Sequence, residues 1–184
     1  HRFDVGALER YMRAHVAGFS GALDVKQFRG GQSNPTYHLS ADGREYVLRR
    51  KPPGKLLPSA HAVDREYRVI TALGTTGFPV PKTYALCEDP EVIGTAFYVM
   101  DCVHGRVITD PKIPGLGPRE RGAIYDSLNE TLARLHTVDF QKLGLADFGR
   151  AGSYFARQIH RWTQQYRASE TEKIEAMERL IAWL

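Results

Sequence analysis

Cysteine is scarce: Cys87 and Cys102 are the chain's two, too isolated for a disulfide framework or a cysteine metal knuckle. The seven histidines are scattered without paired-ligand spacing, so no structural metal is expected. No apolar run approaches the roughly 18 residues that cross a bilayer. The start, His1-Arg2-Phe3-Asp4, lacks the apolar stretch of a signal peptide. The expectation is a cytoplasmic protein with no membrane partner. Polar low-complexity tracts are missing too, which excludes extended disorder. There is no Gly-Lys-Ser/Thr loop and no G-x-G-x-x-G, so the two commonest phosphate-binding fingerprints are excluded. The net charge of +4 suits a polyanionic ligand. However, the densest basic cluster, Arg49-Arg50-Lys51 with Lys55, is broken by Pro52-Pro53-Gly54 and no basic-aromatic repeat accompanies it. No nucleic-acid partner is expected.

What is present is an ordinary globular composition, 42% hydrophobic and 25% charged, ordered as alternating periods. Asp4 caps a first helix to about Val16, with Val5, Leu8, Tyr11, Met12 and His15 along one side. Val25–Phe28 reads as a strand, Arg29–Pro35 as a Gly-rich turn, and Thr36–Leu39 as a second strand. Asp42-Gly43 marks a hairpin into a third, Glu45–Arg50. A helical period spans Ser59 to Leu73, and Phe78-Pro79-Val80-Pro81 forces extended backbone. Tyr84–Cys87 and Thr95–Met100 complete five strands. His104–Gly117 is loop-like, and three helices follow, marked by Ile124/Leu128/Leu132/Leu135, Phe155/Ile159/Trp162/Tyr166 and Ile174/Met177/Ile181/Leu184.

Two features bear on chemistry. Gly30, Gly31, Ser33 and Asn34 could present backbone N–H groups to phosphate oxygens, although a GG-x-S-N-P hairpin is more often only a turn. On the third strand Val47 and Arg49 share one face, and on the following helix Glu66 projects between Ile70 and Leu73. An inward carboxylate needs a partner. Arg49 is one, leaving part of its guanidinium fork for a phosphate. The other reading is an exposed pair of Glu66 with Arg65, Arg68 or Lys82.

The stretches GGQSNPTYHL, YVLRR, AHAVDREYRVITAL, FPVPKTYALCEDPEVIGTAFYVMDCVHGRVI and LNETLARLHTVDF occur in one order along most of the chain. In that order they resemble the aminoglycoside phosphotransferase and choline kinase-like family, relatives of protein kinases. LRRKPPGKLLPSAHAVDREYRV and RQIHRWTQQY look most like the branch related to phosphotransferase domains fused to acyl-CoA dehydrogenases. The resemblance implies an α+β, protein-kinase-like fold: an antiparallel five-stranded nucleotide lobe with a helix, then the start of a helical lobe. It implies that Ser33 and Asn34 lie in the nucleotide-positioning loop, that Arg49 replaces the family's third-strand lysine, and that Glu66 is its helix partner. Val47 would cover the base and Met100 would be the gatekeeper. Asp101, Cys102 and Val103 would form the hinge, with the Asp101 carbonyl and Val103 amide meeting the adenine edge. The implied ligands are ATP with magnesium and a small hydroxylated acceptor.

The family's His-Gly-Asp catalytic loop and following metal-binding Asp motif do not occur in these residues. No catalytic residue or magnesium ligand is therefore expected in this chain, and His104-Gly105, at the hinge, is no substitute. Asp147-Phe148-Gly149 falls in a Gly-rich link between helices, so it is read as a loop feature and not as the kinase metal triplet. His136 is read as a packed or capping histidine. The lobes are expected at 1–103 and 104–184. The final Ala182-Trp183-Leu184, without a Gly, Pro or polar tail, reads as a chain stopping inside the helical lobe, with apolar helix surface exposed for packing or self-association; the other reading is a helix docked at a true C-terminus. A second reading keeps the fold and drops the chemistry: a nucleotide-binding pseudokinase or interaction module.

Overall fold

A computed structural model describes residues 3–28, 33–54, 61–149 and 152–184. The chain forms two compact units, divided between Val138 and Asp139. Gly30 and Gly31 of the turn, and the expected helix start at Ser59, lie outside the described residues.

The first unit opens with α1 (Val5–His15), where Asp4 Oδ1 accepts a hydrogen bond of 3.1 Å from the Ala7 amide. That contact satisfies one of the donors a helix start leaves unpaired. A sheet follows: β1 (Asp24–Gln27), β2 (Thr36–Ala41) and β3 (Arg44–Arg50), then β4 (Thr83–Cys87) and β5 (Phe97–Asp101) after α2 (Val63–Gly74). All neighbours are antiparallel, in the order β1-β2-β3-β5-β4. The hairpin between β2 and β3 turns on Asp42 and Gly43, both left-handed at φ 49° and 74°. That pair matches the turn to the strands' right-handed twist.

Register separates the two faces. Tyr37, Leu48, Val99 and Ala85 align across four strands, and all are buried. With Leu39 and Phe97 they pack on Leu8 and Met12 of α1. Tyr11 ties the same helix to β4, its hydroxyl donating to the Leu86 carbonyl at 3.0 Å. The opposite row runs Lys26, His38, Val47, Met100 and Thr83. Helix α2 meets this side through Thr71 and Thr83, whose hydroxyls lie 2.7 Å apart, and through the Tyr67 and Tyr98 rings, 6.0 Å between centroids.

A short helix not foreseen from the sequence, α3 (Pro90–Ile93), links β4 to β5. It is capped by Asp89 and closed by Gly94 at φ 86°. Next comes α4 (Pro118–His136), whose stripe of Leu128, Leu132 and Leu135 is exposed. His136 is exposed in its last turn, not packed, where a basic side chain complements the helix dipole.

In the second unit Asp147-Phe148-Gly149 occupies turns and bends ahead of α5 (Tyr154–Ser169). Helix α6 (Glu175–Trp183) is bound to α5 by Arg167, which pairs with Glu178 at 2.5 Å through Nη2. Between the two helices runs a cavity of about 270 Å³ lined by Ile159, Trp162, Tyr166, Met177 and Ile181. Trp162 is 63% exposed and Leu184 59%, as expected of uncovered helix surface. Among the described residues no helix is long and apolar enough to cross a membrane.

Candidate functional site

The period of two sends the adjacent arginines of β3 to opposite faces. Arg50 goes to the α1 side. There it is 3% exposed, donates from Nε to Thr95 Oγ1 at 2.9 Å and lies over the Phe3 ring. Arg49 goes to the other side and meets α2. Its Nε lies 2.9 Å from Glu66 Oε2 and its Nη2 donates to Oε1 at 3.3 Å. The Nε–H is not aimed squarely enough at Oε2 to be a hydrogen bond, which makes that contact an ion pair and leaves a buried donor without a directed acceptor. Of the two sequence-level partnerings for Glu66, the inward pair with Arg49 is the one formed. Lys82 instead places its ammonium over the Tyr84 ring.

Glu66 is a hub. Asn34 Nδ2 donates to Oε1 at 2.9 Å and the Tyr98 hydroxyl donates to Oε2 at 3.0 Å. Burial, and then the adjacent carboxylate, push the Tyr98 hydroxyl above the ordinary phenol range, so it remains a donor. Tyr98 stands directly opposite Arg49 in the register. The sequence reading missed it, because nothing in the chain before Met100 reveals which β5 residue faces Arg49.

Beside this charge lies an apolar roof. Val47, 8% exposed, pairs in register with Met100 on the same face as Arg49 and Tyr98. The Asp101 side chain lies on the opposite face, where it accepts from the Tyr84 hydroxyl, so any ligand in the cleft would meet main chain here. The Asp101 amide is already committed to the Lys82 carbonyl at 2.8 Å. Val103 is 71% exposed. The bond to Asp101 is the main cause, with burial second, that pushes the Tyr84 hydroxyl up to about 12.

Ser33 is exposed, whereas its neighbour Asn34 is turned inward at 9% exposure. The structure therefore brings Asn34, Arg49, Glu66, Val47 and Met100 to one side of the sheet, with Asp101–Val103 at the end of β5 and Ser33 outside the network. Two further clusters were not read from the sequence. His61 Nδ1 lies 2.9 Å from Asn34 Oδ1. Glu45, one step along the same face from Val47, accepts from His38 Nε2 at 2.8 Å and lies 2.6 Å from His104 Nε2. The His38 bond, opposed by partial burial and reinforced by His104, holds the Glu45 carboxyl below its usual range. Only strand register and chain reversal bring these groups together, and a lone histidine in the sequence carries no such signal.

Comparison with known proteins identifies the family. A model of the APH phosphotransferase enzyme family matches residues 24–184. Acyl-CoA dehydrogenase family member 11 of Rattus norvegicus is 50% identical over 188 residues, covering all of this chain and 24% of the relative. Acyl-CoA dehydrogenase family member 10 of Mus musculus is 50% identical over 179 residues, covering 97% of this chain and 17% of the relative. The chain thus spans a quarter or less of these relatives. A crystal structure from Ralstonia eutropha JMP134, assigned as an aminoglycoside phosphotransferase, superposes with a TM-score of 0.84 at 55% identity, covering 99% of this chain and 53% of that one.

Proposed function

The chain belongs to the APH phosphotransferase enzyme family, and from that premise we propose that its protein transfers the γ-phosphoryl group of ATP to a hydroxyl of a small molecule. The nucleotide lobe in this reading is 1–103, and 104–184 begins a helical lobe. One observation carries it: a guanidinium held side-on by a carboxylate, on the same sheet face as an apolar roof. Adenine needs a flat apolar slot and the phosphates need a fixed cation, and phosphoryl transfer is largely positioning and charge stabilisation. Val47 and Met100 supply the slot. Asp101 and Val103 border it through main chain. Arg49 supplies the cation, and none of its contacts among the described residues uses Nη1. Ser33 and Asn34 would belong to the loop that positions the phosphates.

The residues described do not form a magnesium site, since no group of three or more His, Cys, Asp or Glu side chains is placed to hold a metal. The role proposed for this chain is therefore to bind and orient the nucleotide. The test is Mg-ATP titration of the full-length protein, with ADP release measured across a panel of small hydroxylated acceptors. Saturable binding with acceptor-dependent ADP release is expected. Binding with no turnover on any acceptor would favour the pseudokinase reading, and no binding at all would refute the nucleotide site.

A further inference from the structure

Asn34 is buried, and both ends of its side-chain amide as well as its main-chain carbonyl are engaged. Its carbonyl accepts from Thr36 Oγ1 at 3.1 Å, its Nδ2 donates to Glu66 at 2.9 Å, and its Oδ1 lies 2.9 Å from His61 Nδ1. Which way the amide points follows from chemistry. The Glu66 carboxylate, paired with a guanidinium, accepts and does not donate, so the NH₂ must face it and Oδ1 must face His61. An amide oxygen also only accepts, so His61 must carry its proton on Nδ1. That sets the imidazole as a donor fixed from the far side of the network.

His61 is held for that task at some cost. It sits at φ 58°, in the left-handed region that non-glycine residues seldom adopt, immediately before the Ala62 cap of α2. Its carbonyl accepts from the Val63 amide at 2.9 Å, which fixes the backbone of the same turn. Asn34 is thereby pinned to α2 twice, by Glu66 within the helix and by His61 at its entrance.

Building on the phosphotransferase reading, we infer that His61 is a positioning residue: through Nδ1–H and the Asn34 amide it locks Asn34 to α2, beside the Arg49–Glu66 pair. It touches no reacting atom. Its loss should loosen Asn34 and weaken nucleotide capture, and leave the chemistry of the bound complex nearly unchanged.

Three forms of the full-length protein separate the hydrogen bond from backbone strain. His61→Gly accepts φ 58° but has no donor, whereas His61→Asn tolerates the left-handed region and places an amide N–H near the position of Nδ1. The expected result for His61→Gly is a KM for ATP raised about tenfold with kcat within about twofold, as for loss of one neutral hydrogen bond. Hydrogen exchange measured by mass spectrometry should quicken in peptides carrying Ser33–Tyr37. His61→Asn should restore both. The inference is overturned if His61→Gly leaves exchange and KM unchanged, or if His61→Asn is as impaired as His61→Gly. The exchange measurement needs no nucleotide, so it decides the lock even if the wild type proves not to use ATP, an outcome that would fell the phosphotransferase reading alone.

Discussion

Replacing Arg49 with alanine separates a structural from a functional cation, because the two roles carry different magnitudes here. As a structural group Arg49 is worth little. Its side chain is 32% exposed and that of Glu66 34%, so solvent screens the pair, and a pair of this kind contributes about 0–1 kcal/mol. Nor does its removal orphan Glu66, which keeps donors from Asn34 at 2.9 Å and Tyr98 at 3.0 Å. The expected loss of stability is about 1 kcal/mol, a few degrees in Tm. As a phosphate ligand its loss should cost about 1.5–3 kcal/mol, a ten- to hundredfold drop in the nucleotide-dependent step. The assay pairs thermal denaturation with initial rates against ATP at fixed acceptor. The double exchange, Arg49→Glu with Glu66→Arg, is the control: it restores the charge pair but turns a carboxylate toward the phosphates, so activity should stay low. An Arg49→Ala protein with unchanged ATP dependence would refute the argument and leave Arg49 as a brace for α2.

Other outcomes follow from the fold and its titrating groups. Leu48 is fully buried between β2, β5 and α1, so Leu48→Ala should cost about 2–5 kcal/mol in urea denaturation, and a loss below about 1 kcal/mol would contradict the core described here. Tyr84, pushed up to about 12, binds its proton more tightly folded than unfolded; its contribution is present below the ordinary phenol pKa near 10 and is lost as pH rises through about 12. Phenolate absorbance in wild type against Tyr84→Phe should show one tyrosine titrating late, and an ordinary midpoint for that tyrosine would contradict the bond to Asp101.

Much of this was legible in the sequence where a local rule sufficed. The Asp4 cap, the Asp42-Gly43 turn and the five strands each follow from neighbours in the chain. So does the split between Arg49 and Arg50, since a period of two sends them apart whatever the sheet does. Glu66 was legible as an inward carboxylate but not as a hub. Its partners Asn34, Arg49 and Tyr98 are 32, 17 and 32 residues away in sequence, and only pairing in space selects them. The order β1-β2-β3-β5-β4 puts Tyr98 opposite Arg49, a consequence of register that no single strand announces. His61 was invisible for a different reason: its significance lies in a left-handed backbone that histidine does not advertise. The helix α3 was passed over because four residues are too few to show a period, although Asp89 and Gly94 bracket it with a cap and a left-handed stop.

The arginine at position 49 explains why so many donors gather on one carboxylate. A lysine is a point charge and would spend itself on Glu66 or on phosphate, sharing by distance alone. A guanidinium has two edges. Here the Nε/Nη2 edge faces Glu66 side-on, so the position of the remaining nitrogen depends on how the carboxylate is turned. Four contacts constrain that turn: two from Arg49, one from Asn34 and one from Tyr98. Remove any of the neutral donors and the charge pair survives, but its angle is no longer specified. The polar network is therefore better understood as setting the direction of a cation than as adding to stability, since the pair at its centre, about one-third exposed, contributes so little to holding the sheet and α2 together.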